Sequence, residues 1–271
     1  MLALELSGKI DEAAKEFAAL IENNEMNRRL LYRYLNFCID HKRIEELSKM
    51  AEHLETSDAP DLKALAPFFR AEEMFLQGKT EESLSLLETA KTDQPDFELY
   101  AADKFSSCGR VDQALSRYLA LVDKYPDKRL VFANIAGLNL AKGKKEEALS
   151  YAKQAWETNH DDGIGQFIYA QMLAENGQYQ DAEKVLKIPN HKIELPEEVM
   201  NLWTDIMHHA IEDSIANQRY MQAEEQCKHL LIFAPDDAFA KENREKARKR
   251  IGGRSAEKQN ESTQPASPIQ K

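Results

Sequence analysis

Residues 78–95 read GKTEESLSLLETAKTDQP: a glycine, Thr80 two places on, Ser83 five places on, Leu87 nine places on, and a closing Pro95. The same spacing opens at Gly8, Gly109, Gly143 and Gly177, each beginning a run of the form G-x-[large or Thr]-x-x-[small] whose sixth place holds Ala13, Ala114, Ala148 and Ala182. Two further segments fit with the glycine replaced, KRIEEL from Lys42 with Leu47 in the sixth place, and QRYMQA from Gln218 with Ala223 there. The seven starts lie 34, 36, 31, 34, 34 and 41 residues apart. A period in this range marks an array of small units that bury their apolar faces only against one another.

Other positions recur in the same register. A small residue stands seven places before the glycine (Ala71, Ala102, Ala136, Ala170), a bulky one two places after it (Ile10, Ile44, Val111, Tyr179, Tyr220), and a large one nine places after it (Phe17, Leu87, Tyr118, Leu186). Pro95, Pro126 and Pro235 close three of the units. Small residues let two helices approach, a glycine turns the chain with no Cβ penalty, and a proline ends one helix while presetting the next. Taken together these positions resemble the tetratricopeptide repeat family, over residues 1 to about 251. The resemblance implies an all-α fold: a right-handed α-solenoid of about seven helix-turn-helix units, each an antiparallel pair of helices A and B, with a C-terminal capping helix. Stability then comes chiefly from unit-to-unit interfaces.

Composition agrees with a long continuous core, since 42% of the 271 residues are hydrophobic. The net charge of −11 argues against general binding to nucleic acid or an anionic membrane, both of which need a basic surface. No stretch is long and apolar enough to span a membrane, and MLALELSGKIDEAAKEF has no basic leader followed by an apolar core, so a cytoplasmic location is expected, provisionally. Cys38, Cys108 and Cys227 are odd in number and scattered, which points to packing rather than disulfides or zinc. The register puts Cys38 and Cys227 toward the core.

Only seven residues precede the first glycine, so the first unit is expected to lack half of its helix A. Leu2, Leu4, Leu6 and Phe17 are then expected to be partly solvated, and either the sequence begins inside a longer protein or this edge docks on something. In the third unit Pro60 suits a first helical turn, while Pro67 either kinks the helix or delays its start. KIPNHKIELPEE, in the longest interval, reads as a surface loop. Residues 236–251 form the capping helix, with basic residues gathered at its end as the helix dipole favours. Gly252-Gly253 are expected to stop it, leaving 252–271 as a disordered polar tail.

The family resemblance also implies a binding face, the concave surface lined by the A helices. In register this face takes Arg29, Tyr32, Arg33 and Asn36, then Leu65, Phe68, Phe69 and Glu72, then Leu99, Tyr100 and Asp103. It continues through Ala133, Asn134 and Gly137, then Phe167, Ile168 and Gln171, and ends with His208, His209 and Glu212. Tyr32, Phe68, Phe69 and Tyr100, flanked by Arg29 and Arg33, are the residue types that dominate binding hot spots. If Pro67 shifts the register, Phe68 or Phe69 is core instead. The clamp that some family members use for chaperone tails is not matched: Asn36 is present, but Tyr32, Phe69, Asp96 and Tyr100 stand where lysine, asparagine, lysine and arginine are needed.

The densest polar set is Asp205, His208, His209, Glu212 and Asp213 in DIMHHAIED. His208 with Glu212, and His209 with Asp213, each share a helix face, but two ligands do not make a zinc site, and there is no HExxH, phosphate-cradling loop or nucleophile elbow. No enzyme, cofactor or metal is therefore expected. The function expected is a non-catalytic scaffold holding a protein or peptide in the groove. The alternatives are an assembly protein that self-associates through its N-terminal edge, or a piece of a larger protein whose enzyme domain lies upstream.

Overall fold

The computed structural model describes residues 2–23, 27–160, 163–189, 191 and 194–262. It is all-α and divides into two compact units, Met1–Gly143 and Lys144–Lys271. The first holds α1 (Leu2–Leu6), α2 (Ile10–Asn23), α3 (Arg28–Asp40), α4 (Ile44–Glu55), α5 (Pro60–Lys63), α6 (Ala66–Leu76), α7 (Thr80–Thr89), α8 (Pro95–Ser107), α9 (Val111–Leu121) and α10 (Lys128–Ala141). The second holds α11 (Lys145–Thr158), α12 (Gly163–Glu175), α13 (Tyr179–Leu186), α14 (Glu197–Ala216), α15 (Tyr220–Phe233) and α16 (Ala238–Ser262).

The turns keep the sequence register. Gly8, Gly78, Gly109, Gly143 and Gly177 have φ between 71° and 79°, and Lys42 and Gln218, where glycine is replaced, have φ of 52° and 57°. Each turn is closed by the backbone itself. At Gly78 its N–H donates to the Phe75 carbonyl at 2.9 Å and the Lys79 N–H to Met74 at 2.9 Å; at Lys42 the equivalent bonds run to Ile39 at 3.2 Å and from Arg43 to Cys38 at 2.8 Å. This is the pairing that satisfies the last carbonyls of a helix when the next residue is left-handed. A lysine there holds a conformation that costs an L residue about 1 kcal/mol. Lys42→Gly is expected to raise stability by about 0.5–1 kcal/mol, read as a higher urea midpoint; an unchanged or lower midpoint would show that the turn is not strained.

Small and large positions pack as their sizes require. Ala13, Ala114, Ala148, Ala182 and Ala223 in the sixth place are completely buried, as are Ala71, Ala102, Ala136 and Ala170. Ser83, also buried, spends its hydroxyl on the Ala71 carbonyl at 2.7 Å, so two helices meet closely without an orphaned polar atom. The large residues Phe17, Leu87, Tyr118 and Leu186 fill the space these leave. Phe17 is not solvated as the short first helix led us to expect. It is only 1% exposed, because the rings of Tyr34 and Phe37 cover it at 5.4 and 5.0 Å between centroids. Leu6 is 82% exposed.

Two helix boundaries needed the structure. Pro67 delays a helix rather than kinking one: α5 ends at Lys63, and α6 starts at Ala66 with the proline in its first turn, where a missing N–H is harmless. At the other end of the chain the helix does not stop at Gly252-Gly253 but runs on to Ser262. Neither glycine takes a positive φ, and mid-helix glycine costs only about 1 kcal/mol, which weakens a helix without ending it. Residues 252–262 are therefore helical, and the rest of the expected tail, 263–271, lies outside the described residues. The 187–196 segment is non-helical where described, as its two prolines led us to expect.

Two cysteines are core residues. Burial, followed by the Glu46 charge, pushes the Cys38 thiol up to about 12, and burial pushes Cys227 up to about 11. A raised thiol pKa means thiolate is scarce until the pH nears that value. Iodoacetamide at about pH 8 should therefore alkylate Cys108, which is only half-buried, and spare Cys38 and Cys227 until urea is added. Mass spectrometry of the native adduct checks this, and a fast second or third adduct would contradict the packing.

Candidate functional site

The residues expected to line a binding face divide into two layers. On α3, Arg29 and Arg33 are exposed, and Tyr32 and Asn36 are half-buried. On α8 Asp103 is exposed, and on α10 Asn134 is half-buried. Phe68, Phe69, Glu72 and Tyr100 depart from the expectation: the two phenylalanines are completely buried, Glu72 is 1% exposed and Tyr100 4%.

The reason is that the rings consume one another. Phe68 meets Phe97 at 5.3 Å and Tyr100 at 6.3 Å, Phe69 meets Phe97 at 6.2 Å, and Tyr32 closes on Phe97 edge-on at 5.5 Å. Apolar rings on neighbouring helices gain more by covering each other than by facing water. The expected aromatic groove is thus mostly an internal aromatic layer, with Tyr32 at its accessible rim.

Beneath that layer lies an ion pair. Tyr100 donates its hydroxyl to Glu72 Oε2 at 2.7 Å, and Lys104 Nζ stands 2.6 Å from the same oxygen. Lys104 Nζ also lies 4.7 Å from the centre of the Phe75 ring. Burial and the adjacent Glu72 hold the Tyr100 hydroxyl well above the usual tyrosine range. Glu72 is therefore a supporting residue, not a surface ligand.

Behind α8, Arg117 of α9 ties three elements together. It bonds Glu98 at 2.5 Å, the Ala90 carbonyl at 2.9 Å, and the Leu87 carbonyl at the end of α7. A cavity of about 440 Å³ opens beside it, lined among others by Lys91, Pro95, Phe105 and Lys124. A second, of about 690 Å³, lies between α2 and α4 beside Tyr34 and Arg43. Both sit chiefly against the second helices of the pairs, on residues the expected face did not include.

In the second unit Phe167, Ile168 and Gln171 of α12 are half-buried, and Ile164 is 59% exposed. His208 of α14 is half-buried, its Nε2 placed 2.9 Å from Asp237 Oδ2. Asp237 in turn accepts the Ala240 N–H at 2.7 Å and so caps α16. His209 lies against the Tyr179 ring at 4.2 Å, and Asp213 takes Gln180, Asn217 and Arg219. The polar cluster of DIMHHAIED is thus engaged separately by its neighbours, and among the described residues no group of three or more His, Cys, Asp or Glu is placed to hold a metal ion. No helix of the described residues is long and apolar enough to cross a membrane. Sequence reasoning missed the buried network in which Ser214 donates to Gln226 Oε1 at 2.8 Å and Gln226 to Glu183 at 2.6 Å. Polar residues at half-buried positions carry no periodic signal.

Paired helices joined by left-handed turns at a near-constant period define an all-α helix-turn-helix repeat protein. A family model described as tetratricopeptide repeat matches residues 102–164, which contain the Gly109 and Gly143 turns. Over that stretch, 63 of the 271 residues, the chain is similar to the tetratricopeptide repeat family. Similar solved structures include a tetratricopeptide repeat protein from Parabacteroides merdae, 13% identical with TM-score 0.49, the match covering 86% of this chain and 99% of that one. PilF of Pseudomonas aeruginosa is 14% identical with TM-score 0.48, over 86% and 97% of the two chains. The APC/C hetero-tetramer Cut9–Hcn1 is 13% identical with TM-score 0.49; there the match covers 90% of this chain but 54% of that one, so the chain spans about half its length. No curated protein matches the chain.

Proposed function

We propose that the chain is a non-catalytic interaction scaffold of about seven repeat units, whose A-helix face holds a segment of a partner protein. One observation carries this reading. Arg29, Tyr32, Arg33 and Asn36 on α3, and Asn134 on α10, stay accessible at the register positions whose equivalents on α6 are buried. Arginine, tyrosine and amides left at a surface beside a rigid aromatic layer are suited to hold a peptide. Phe167, Gln171 and His208 occupy the same positions in the second unit and belong to the proposal on the same ground.

The test is cross-linked capture from native lysate, comparing the intact chain with Tyr32→Ala/Arg33→Ala/Asn36→Ala at matched helicity. Loss of a partner supports recognition on this face; an unchanged partner set overturns it. Phe69 and Tyr100 are unsuitable for this test because their removal would disturb the core. A second reading, self-association, is favoured by the exposure of Leu6. A mass in sedimentation that rises with concentration, and is returned to the monomer by Leu6→Glu, would support it; a monomer at all concentrations would overturn it.

A further inference from the structure

We propose that the groove between α2 and α4 is a second binding site, separate from the A-helix face, and that it takes an acidic segment of a partner protein, a carboxylate side chain set between apolar ones. The observation that singles this groove out is a comparison of equivalent positions. Eight places past the turn residue stand Met50 on α4, Arg117 on α9 and Gln226 on α15, and each lines a cavity against the preceding second helix. Arg117 ties itself to that helix through the Leu87 and Ala90 carbonyls, and Gln226 does so through Glu183 at 2.6 Å. Met50 has no polar atom with which to do the same. The cavity over Met50 is the larger, about 690 Å³ against about 440 Å³ for each of the two that are tied across.

The lining fixes the class of occupant. Ala14, Ile21, Tyr34 and Met50 make a buried apolar floor, with Ala18 half-buried beside them. Both carboxylates that line the groove are already taken by one residue: Arg43 bonds Asp11 at 2.6 Å and Glu46 at 2.9 Å. The cations are not taken in this way. Lys15 and Lys49 occupy the same register place, seven past Gly8 and Lys42, one on each wall, and both are exposed. Among the described residues Lys15 has no ion-pair partner, and the acid nearest Lys49 is Glu45 at 3.9 Å, one turn back on the same helix and as exposed as the lysine. An exposed pair of that kind contributes little and yields to a better one. A carboxylate entering between the walls gains charge-assisted hydrogen bonds from the two ammoniums, while its apolar neighbours cover the floor. A basic segment is repelled, and a purely apolar one would cover the ammoniums without pairing them. The lining positions run from Asp11 to Ile21 and from Arg43 to His53, about 15 Å along each helix, which an extended segment of about four or five residues spans. The chain's net charge of −11 opposes an acidic segment at a distance, so the preference rests on pairing inside the groove.

The experiment measures fluorescence anisotropy of three labelled heptapeptides against the intact chain, alike except that two positions set between leucines are glutamate, glutamine or lysine. The glutamate peptide is expected to bind at least about tenfold more tightly than the other two. Lys15→Gln/Lys49→Gln should remove that preference, and Lys15→Glu/Lys49→Glu should transfer it to the lysine peptide, which a misfolded variant cannot do. Tyr32→Ala/Arg33→Ala/Asn36→Ala should leave it unchanged; loss of the preference in that variant would assign the peptide to the A-helix face and overturn the second site. Equal binding of the glutamate and glutamine peptides, a preference that survives Lys15→Gln/Lys49→Gln, or no binding by any of the three overturns the proposal. Decanoate, if it bound more tightly than the glutamate peptide, would replace the protein segment by a free amphiphile and overturn it as well.

Discussion

Lys104→Met is expected to destabilise the first unit by about 3 kcal/mol, the lower end of the cost of breaking a buried ion pair. Glu72 is 1% exposed and holds Lys104 Nζ at 2.6 Å, so removing the cation leaves its carboxyl to Tyr100 alone. The lower end applies because the Lys104 side chain is 22% exposed and water screens part of the attraction. Glu72→Met with Lys104→Met should recover most of the loss, because a buried pair replaced together by apolar groups is often near neutral. Urea midpoints of the two single variants and the double settle the point. Single variants within about 1 kcal/mol of the parent would mean that the pair is solvated and contributes little.

Tyr100, which shares Glu72 with Lys104, brings a pH dependence. The Tyr100 pKa is raised in the folded state by burial and then by Glu72. Folding therefore disfavours its ionisation, and this contribution is fully present below about pH 10 and lost as the pH rises above the unfolded tyrosine value. Tyr100→Phe should accordingly flatten the alkaline side of the stability profile.

Trp203→Ala is expected to cost about 3–5 kcal/mol, the range for removing a large aromatic from a packed core. Trp203 is 1% exposed and is covered by His229 and Phe233 of α15, each at 5.0 Å between ring centroids. It shares its core cluster with Leu173 of α12, Leu186 of α13, Ile206 of its own helix α14, Cys227 of α15 and Ala240 of α16, so five helices contribute to that cluster. Amide hydrogen exchange should show lost protection in α12 to α15, with Trp203→Phe restoring most of it. Retained protection there in Trp203→Ala would show that the helices close the gap.

The fold was legible because turns and small-residue positions depend on local stereochemistry. Counting from Gly78 located Lys42 and Gln218 as turn residues with no glycine to mark them, and their backbones are left-handed. The face was less legible. Register says which way a side chain leaves its helix but not whether a ring on the next helix will cover it, and that is what separates Tyr32 from Phe68, Phe69 and Tyr100.

Lys42 and Gln218 also bear on how such a chain changes over evolutionary time. Each turn is held by main-chain bonds common to every amino acid but proline, so what is inherited is a backbone hand, not a letter. Losing a glycine there costs about 1 kcal/mol, small enough for neighbouring repeats to absorb and for drift to erase the marker while the hairpin persists. Repeats in such an array can become mutually unrecognisable in sequence long before any of them stops folding.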